Sequence, residues 1–180
     1  MKRSVLILAF VISASLVYAQ NVDESSSLTR KQKRQAQTEK EFQATKQMLD
    51  NKDFVLESFA LQNRWGYRFE VSSNINFVAV DSTEAIIQIG SNYRIGANGV
   101  GGVTARGPIT KWNLKENPKT KSFNLQMTVM TKIGFYDLNL NISADGRADA
   151  LLTGLGSGRL TFDGNMVPWQ DSSVYVGTSL

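Results

Sequence analysis

The clearest pattern of hydrophobic and polar positions lies in the second half of the chain. Phe123, Leu125, Met127 and Val129 alternate with Asn124, Gln126 and Thr128. After a break at Gly134, Tyr136, Leu138, Leu140 and Ile142 alternate with Asp137, Asn139 and Asn141. Successive side chains of a strand point to opposite faces, so a period of two over this length predicts an antiparallel pair with one buried face. Asp145-Gly146 is a hairpin turn signal leading into Ala148–Thr153. Upstream, Phe54–Leu61, Asn76–Val80 and Ala85–Ile89 read as strands, the last two joined through Asp81-Ser82-Thr83. Val103–Leu114 reads as a long strand in which Gly107 and Pro108 predict a bend, a bulge or an edge. Asn117-Pro118 makes Lys115–Lys121 a turn, Leu160–Phe162 ends at Asp163-Gly164, and Val174–Val176 reads as a closing strand. Strands recurring without intervening helices predict a mainly β fold over residues 54–180, an antiparallel β-sandwich or barrel-like meander.

Two other textures precede the strands. Asn21–Asp53 is rich in Lys, Arg, Gln, Glu and Thr and contains neither Gly nor Pro. These are mostly good helix formers, and one of Ser25, Ser26 and Ser27 is available as an N-cap. Residues 20–53 therefore read as a polar linker followed by one N-terminal α-helix from about Leu28 to Asn51. Its apolar stripe of Phe42, Met48 and Leu49 appears late, so only the second half is expected to pack. The basic run Arg30–Arg34 reads as polar helix surface, because Glu39 and Glu41 follow closely. Before all this, Lys2 and Arg3 lead an apolar run from Val5 to Val17, and Val17-Tyr18-Ala19 supplies a cleavage site. That order is the secretory pattern, with residues 1–19 as a signal peptide. The apolar run is shorter than the roughly 20 residues a membrane span requires. The expectation is an exported, soluble protein of the periplasm or cell exterior, with no stable membrane insertion after cleavage.

Composition narrows the chemistry. The chain has no Cys, which removes disulfides and a lipidated cysteine. Removing 19 of 180 residues leaves 161, enough for one domain, with 18 basic against 16 acidic residues. That near balance gives no reason to expect nucleic acid as a partner. With no His either, the chain lacks an imidazole base, a thiol nucleophile and an ordinary zinc or copper site. No catalytic residue, metal or cofactor is assigned. The least contrived enzyme would be a two-carboxylate glycoside hydrolase drawing on Glu57, Glu70, Glu84 or Asp137, but no spacing pairs any two. Asp145 and Asp149 flank Gly146, yet Arg147 between them opposes calcium and turn chemistry accounts for the motif. An outer-membrane barrel is disfavoured by the polar helix and by the non-aromatic end Val176–Leu180.

Gly96-Ala97-Asn98-Gly99-Val100-Gly101-Gly102 is the most conspicuous local feature. A phosphate-cradling glycine loop needs a helix directly after it, whereas Val103-Thr104-Ala105 reads as strand. The loop reads either as a connection requiring positive φ at its glycines or as a gate at the mouth of the sheet. Asn98, Gly99, Gly101 and Gly102, with Trp112, are the ligand-binding candidates. A second candidate surface is the polar side of the two clearest strands, Asn124, Gln126, Thr128, Asn139 and Asn141. Planar amides on a rigid sheet suit a sugar if an aromatic lies nearby. Trp65, Trp112 and Trp169 are available, but the pattern places none of them there.

Phe69-Glu70-Val71, Asn76–Val80, Gly99–Gly107, Gly146-Arg147-Ala148 and Asp163-Gly164 together resemble an exported family of Gram-negative bacteria, domain of unknown function 4251. The likeness runs from about Glu39 to Gly177. It implies one domain spanning helix and sheet, and export; some members are lipoproteins, from which this chain departs by lacking the cysteine. It implies no activity. The sequence therefore points to a non-enzymatic binding or structural module of the cell envelope, with an envelope protein, a glycan or a lipid as partner. The alternatives are a small-molecule carrier gated by the Gly96–Gly102 loop and a carboxylate glycosidase.

Overall fold

The structure is a computed structural model and describes residues 29–91, 98–154 and 158–179. The signal sequence at 1–19, together with Gly96 and Ala97 of the glycine loop, lies outside the described residues. The elements in order are α1 (Arg30–Asn51), β1 (Asp53–Asn63), β2 (Arg68–Glu70), β3 (Phe77–Asp81), β4 (Glu84–Ile89), β5 (Val103–Asn117), β6 (Ser122–Thr131), β7 (Gly134–Ser143), β8 (Arg147–Thr153) and β9 (Arg159–Val167), followed by a 3₁₀ turn at Trp169–Asp171. The chain divides into two compact units after Ala36.

In the first unit, α1 starts one position after a reciprocal cap. Gln32 N donates to Thr29 Oγ1 at 3.3 Å while Thr29 N donates to Gln32 Oε1 at 2.8 Å. Two otherwise unpaired donors of the helix start are thereby satisfied. The cap is Thr29, not one of the upstream serines.

In the second unit, Gln37–Leu180, the strands follow one another as antiparallel neighbours, and β1 closes the sheet. One edge of β1 pairs first with β3 and then with β2, while its other edge pairs with β9 along Val55–Asn63. Eight strands thus form a closed, barrel-like sheet, with β2 continuing the line of β3. The mainly β, antiparallel fold with one N-terminal helix expected from the sequence is the fold observed.

The interior can be identified from ring geometry. Phe54 on β1 and Trp112 on β5 lie three strand spacings apart, about 14 Å along the sheet. Their ring centroids are nevertheless 6.5 Å apart. The sheet therefore curls toward that face, which carries Leu56, Val78, Val80, Leu125, Met127, Leu140 and Phe162, all fully or almost fully buried. The second half of α1 completes this core with Phe42 and Leu49. Phe42 stacks on Phe123 at 4.7 Å, and Thr45 Oγ1 donates to Ala144 O at 3.0 Å. Full burial of a side chain such as Phe42 or Leu49 contributes about 1.5–3 kcal/mol. Two ion pairs, Lys46–Glu116 and Lys121–Glu39, both at 2.6 Å, flank the contact. The hydrogen bond from Lys121 holds the Glu39 carboxyl below its ordinary range, and the bond to Glu116 raises Lys46.

Three departures from the sequence reading matter for function. β9 does not end at Asp163-Gly164 but runs on to Val167. Gly164 stands where β1 carries a bulge: Ser58 faces Gly164 and Ala60 faces Asp163, so Phe59 is extra. A Cβ at Gly164 would overlap the Glu57 carbonyl, so here the glycine serves close backbone approach rather than a turn. β2, unanticipated, takes over from β3 as the partner of β1 just past that bulge.

The third departure is at the C-terminus. Val174–Val176 is not a strand, because both edges of the closed sheet's first strand are already paired. It belongs instead to a strap over the outer patch Val55, Phe77, Ala79 and Ile86, which it covers together with Val167 and Trp169. Glu57 Oε1 accepts from Ser172 Oγ at 2.7 Å and Ser173 N at 3.1 Å, and Tyr175 N donates to Asn74 O at 2.8 Å.

Candidate functional site

Opposite the core, alternation gathers polar residues of consecutive strands into rows. Cross-strand pairing aligns Lys115, Asn124, Asn141, Asp149 and Asp163 in one row. Asn113, Gln126, Asn139, Leu151, Thr161 and Gln62 form the next. The rows are cross-linked. Asn124 Nδ2 donates to Asn139 Oδ1 at 2.8 Å and Asn141 Oδ1 at 2.9 Å, and Asn141 Nδ2 donates to Asp149 Oδ2 at 3.0 Å. Asp163 is ion-paired with Arg68 of β2, whose guanidinium sits 5.8 Å from the centre of the Phe59 ring. The bulge thus places an aromatic on an otherwise polar face, at the end of the row.

This face holds three open depressions of about 750, 520 and 310 Å³. The first shares Asn141, Asp149 and Asp163 with the second, which shares Asn139 and Leu151 with the third, so they run together as one trough. The internal bonds fix the amide planes and leave capacity over. The Asn124 oxygen, the Asn139 nitrogen and the whole Gln126 amide make no bond among the described residues. The cross-linked Asn124, Asn139 and Asn141 can take a polar ligand without first losing their own rotamer freedom.

The glycine-loop candidates lie elsewhere. Asn98 is 1% exposed and fully engaged: Nδ2 donates to Thr104 Oγ1, Oδ1 accepts from Val100 N and Gly102 N, and its carbonyl accepts from Thr178 N. Gly99 and Gly101 have φ of +76° and +81°, which only glycine adopts without strain. A Cβ at Gly102 would strike the Ile89 carbonyl. Trp112 packs against the core on the inner face, under the Lys52 ammonium at 5.0 Å. The fold therefore does not bring Trp112 together with Asn98, whose partner Thr104 faces outward from β5 beside Gln88.

The carboxylate candidates are also dispersed. Glu57 anchors the strap, Glu84 pairs with Arg106, Asp137 accepts from Thr128, and Glu70 is exposed on β2. None of the four is a cross-strand neighbour of another. Acids meet across strands as Asp53–Asp81 and Asp81–Glu84 at the β1–β3–β4 end, and as Asp149–Asp163 on the trough, a pairing whose spacing in the sequence gave no hint of it. Among the described residues no group of three or more acids could hold a metal, and no helix is long and apolar enough to cross a membrane. Trp65, at the β1–β2 turn, lies in the chain between trough residues, since Gln62, Asn63 and Gly66 line it.

A helix-capped antiparallel barrel with a polar outer trough defines the class of domain. The model of the family described as "Domain of unknown function (DUF4251)" matches residues 36–166, and the chain belongs to that family. It is similar to a crystal structure of a DUF4251 family protein from Bacteroides eggerthii DSM 20697, with 26% identity and a TM-score of 0.62, covering 73% of this chain and 90% of that one. No curated protein matches.

Proposed function

We propose that this protein is an exported, non-enzymatic binding module of the cell envelope, and that the outer trough is its binding surface. One observation carries the reading: planar amides from β6 and β7 are held in fixed orientation by Asn124, Asn141 and Asp149, with bonding capacity left facing out. A carrier is less well supported, because the inner face is packed with side chains and capped by Phe42 and Leu49. Export rests on the signal pattern of residues 1–19.

Hydroxyl-radical footprinting compares the chain in an extract of its own cell envelope with the purified chain in buffer. Phe59 and Leu151 lie in the trough, and exposed Phe135 and Tyr175 serve as controls. Protection of the first pair alone is expected. Equal labelling of all four in both media refutes the trough, and an N-terminus other than Gln20 on the recovered protein refutes cleavage after Ala19.

A further inference from the structure

The chemistry of the trough, taken together with the β1–β2 turn beside it, points to a class of ligand. That turn is braced by its own hydrogen bonds. Asn63 Oδ1 accepts from Trp65 N at 3.0 Å and Tyr67 N at 3.1 Å, Asn63 N donates to Tyr67 O, and Gln62 Nε2 donates to Gly66 O at 3.1 Å. Gly66 takes φ of +87°. On this braced turn Trp65 is 68% exposed, with the Arg64 guanidinium 4.3 Å over its ring. An indole standing in water forgoes apolar contact that a ligand can restore. Gln62, Asn63 and Gly66 of the same turn are trough wall, so Trp65 is flanked in the chain by residues that line the trough.

The trough carries both signs of charge: Lys111, Lys115 and Arg159 line it together with Asp137 and Asp149, while Asp163 is paired with Arg68 and Arg147 with Asp145 at 2.9 Å. A ligand of a single sign therefore meets like charge somewhere along it. On β6 and β7 the Asn124 oxygen, the Asn139 nitrogen and the whole Gln126 amide remain to accept and donate. A ligand that matches them must present many groups that donate and accept at once, on a body with an apolar face for the indole. Vicinal hydroxyls on a pyranose ring have that combination. A polyanion would meet Asp137 and Asp149, and a polycation would meet Lys111, Lys115 and Arg159. An added β-strand would need an unpaired edge, and β6, β7, β8 and β9 are paired on both sides. From β6 to β1 there are four strand spacings, about 19 Å, which is longer than one sugar ring.

We propose that the trough binds a neutral oligosaccharide, with Trp65 as its stacking platform and the amides of Gln126, Asn139 and Asn141 as readers of its hydroxyls. This rests on the trough being the binding surface. The test is NMR titration of the full mature chain with neutral tetrasaccharides of glucose, mannose and N-acetylglucosamine, an acidic tetragalacturonate, and an uncharged polar tetrapeptide. The readouts are the side-chain amides of Asn124, Gln126, Asn139 and Asn141 and the indole N–H of Trp65.

A neutral sugar that moves both sets supports the proposal. Trp65→Ala is then expected to weaken it about tenfold, as for a central aromatic contact, while Trp65→Phe recovers most of the affinity. Because Trp65 is exposed, neither variant should change the melting temperature. If the peptide or the tetragalacturonate moves the trough amides and no neutral sugar does, the trough stands and the sugar assignment falls. If no probe moves them, both fall. If a neutral sugar binds Trp65→Ala as well as the parent chain, the platform is wrong.

Discussion

Gln88 is the residue through which the strap, the glycine loop and the sheet are joined, and its replacement gives a sharp test of that account. Its side chain is fully buried. Nε2 donates to Ile75 O at 3.2 Å and Tyr175 O at 2.8 Å, while Oε1 accepts from Thr104 Oγ1 at 2.9 Å and Gly177 N at 2.8 Å. Gln88→Leu keeps the approximate volume and removes all four bonds. Leaving four buried polar groups unpaired would cost about 1–3 kcal/mol each, a sum comparable to the whole stability of a domain. A cheaper route exists. The strap can lift and let water reach Tyr175 O and Gly177 N, losing its cover over Val55 and Ile86 and the bond from Thr178 N to Asn98 O. That escape caps the expected loss at about 2–4 kcal/mol. Urea denaturation should show the loss, and amide exchange of Gly177 and Thr178 should accelerate at least a hundredfold, while β6 and β7 amides change only with global stability. An unchanged midpoint with strap amides still protected would refute the reasoning.

Two further outcomes follow from the same geometry. Gly164→Ala would put a Cβ about 2.8 Å from the Glu57 carbonyl carbon and 2.9 Å from Ser58 Cα, so it should cost about 1–3 kcal/mol in urea melts. It should also shift the Phe59 and Arg68 resonances, because the bulge must move. The Glu39 carboxyl is held low by Lys121, so its contribution is present above the ordinary glutamate value of about 4.3 and is lost as pH falls through its lowered one. Glu39→Gln should flatten the acid limb of the pH–stability profile, read by thermal melts between pH 2 and about 6.

Much of the fold was legible because period two survives in single strands. Phe123–Val129 and Tyr136–Ile142 declare their buried faces without help, and the same alternation put Asn124, Gln126 and Asn139 on one polar side. What the sequence could not supply was register between distant strands. Asp149 falls in the expected strand Ala148–Thr153 and Asp163 at the expected end of another, and only the β8–β9 pairing makes them neighbours on the wall of the trough. Asp163-Gly164 read as a strand end because a glycine needed for backbone approach is indistinguishable, locally, from one needed for positive φ. Val174-Tyr175-Val176 has strand composition but meets no free edge. The glycine loop drew attention for its composition, and there Asn98 spends its bonding capacity on the loop itself, on Thr104 and on the strap.

The closing pair β1–β9 has a kinetic meaning as well. It joins Val55 to Val167, about 110 positions apart, and contacts of such separation form late and slowly. Until β9 arrives, the eleven-residue β1 presents one long hydrogen-bonding edge and Leu56 and Leu61 lack their final cover. A chain emerging from its amino end therefore stays open until nearly all of it has appeared. Through that delay the edge of β1 is the segment most open to pairing with another chain.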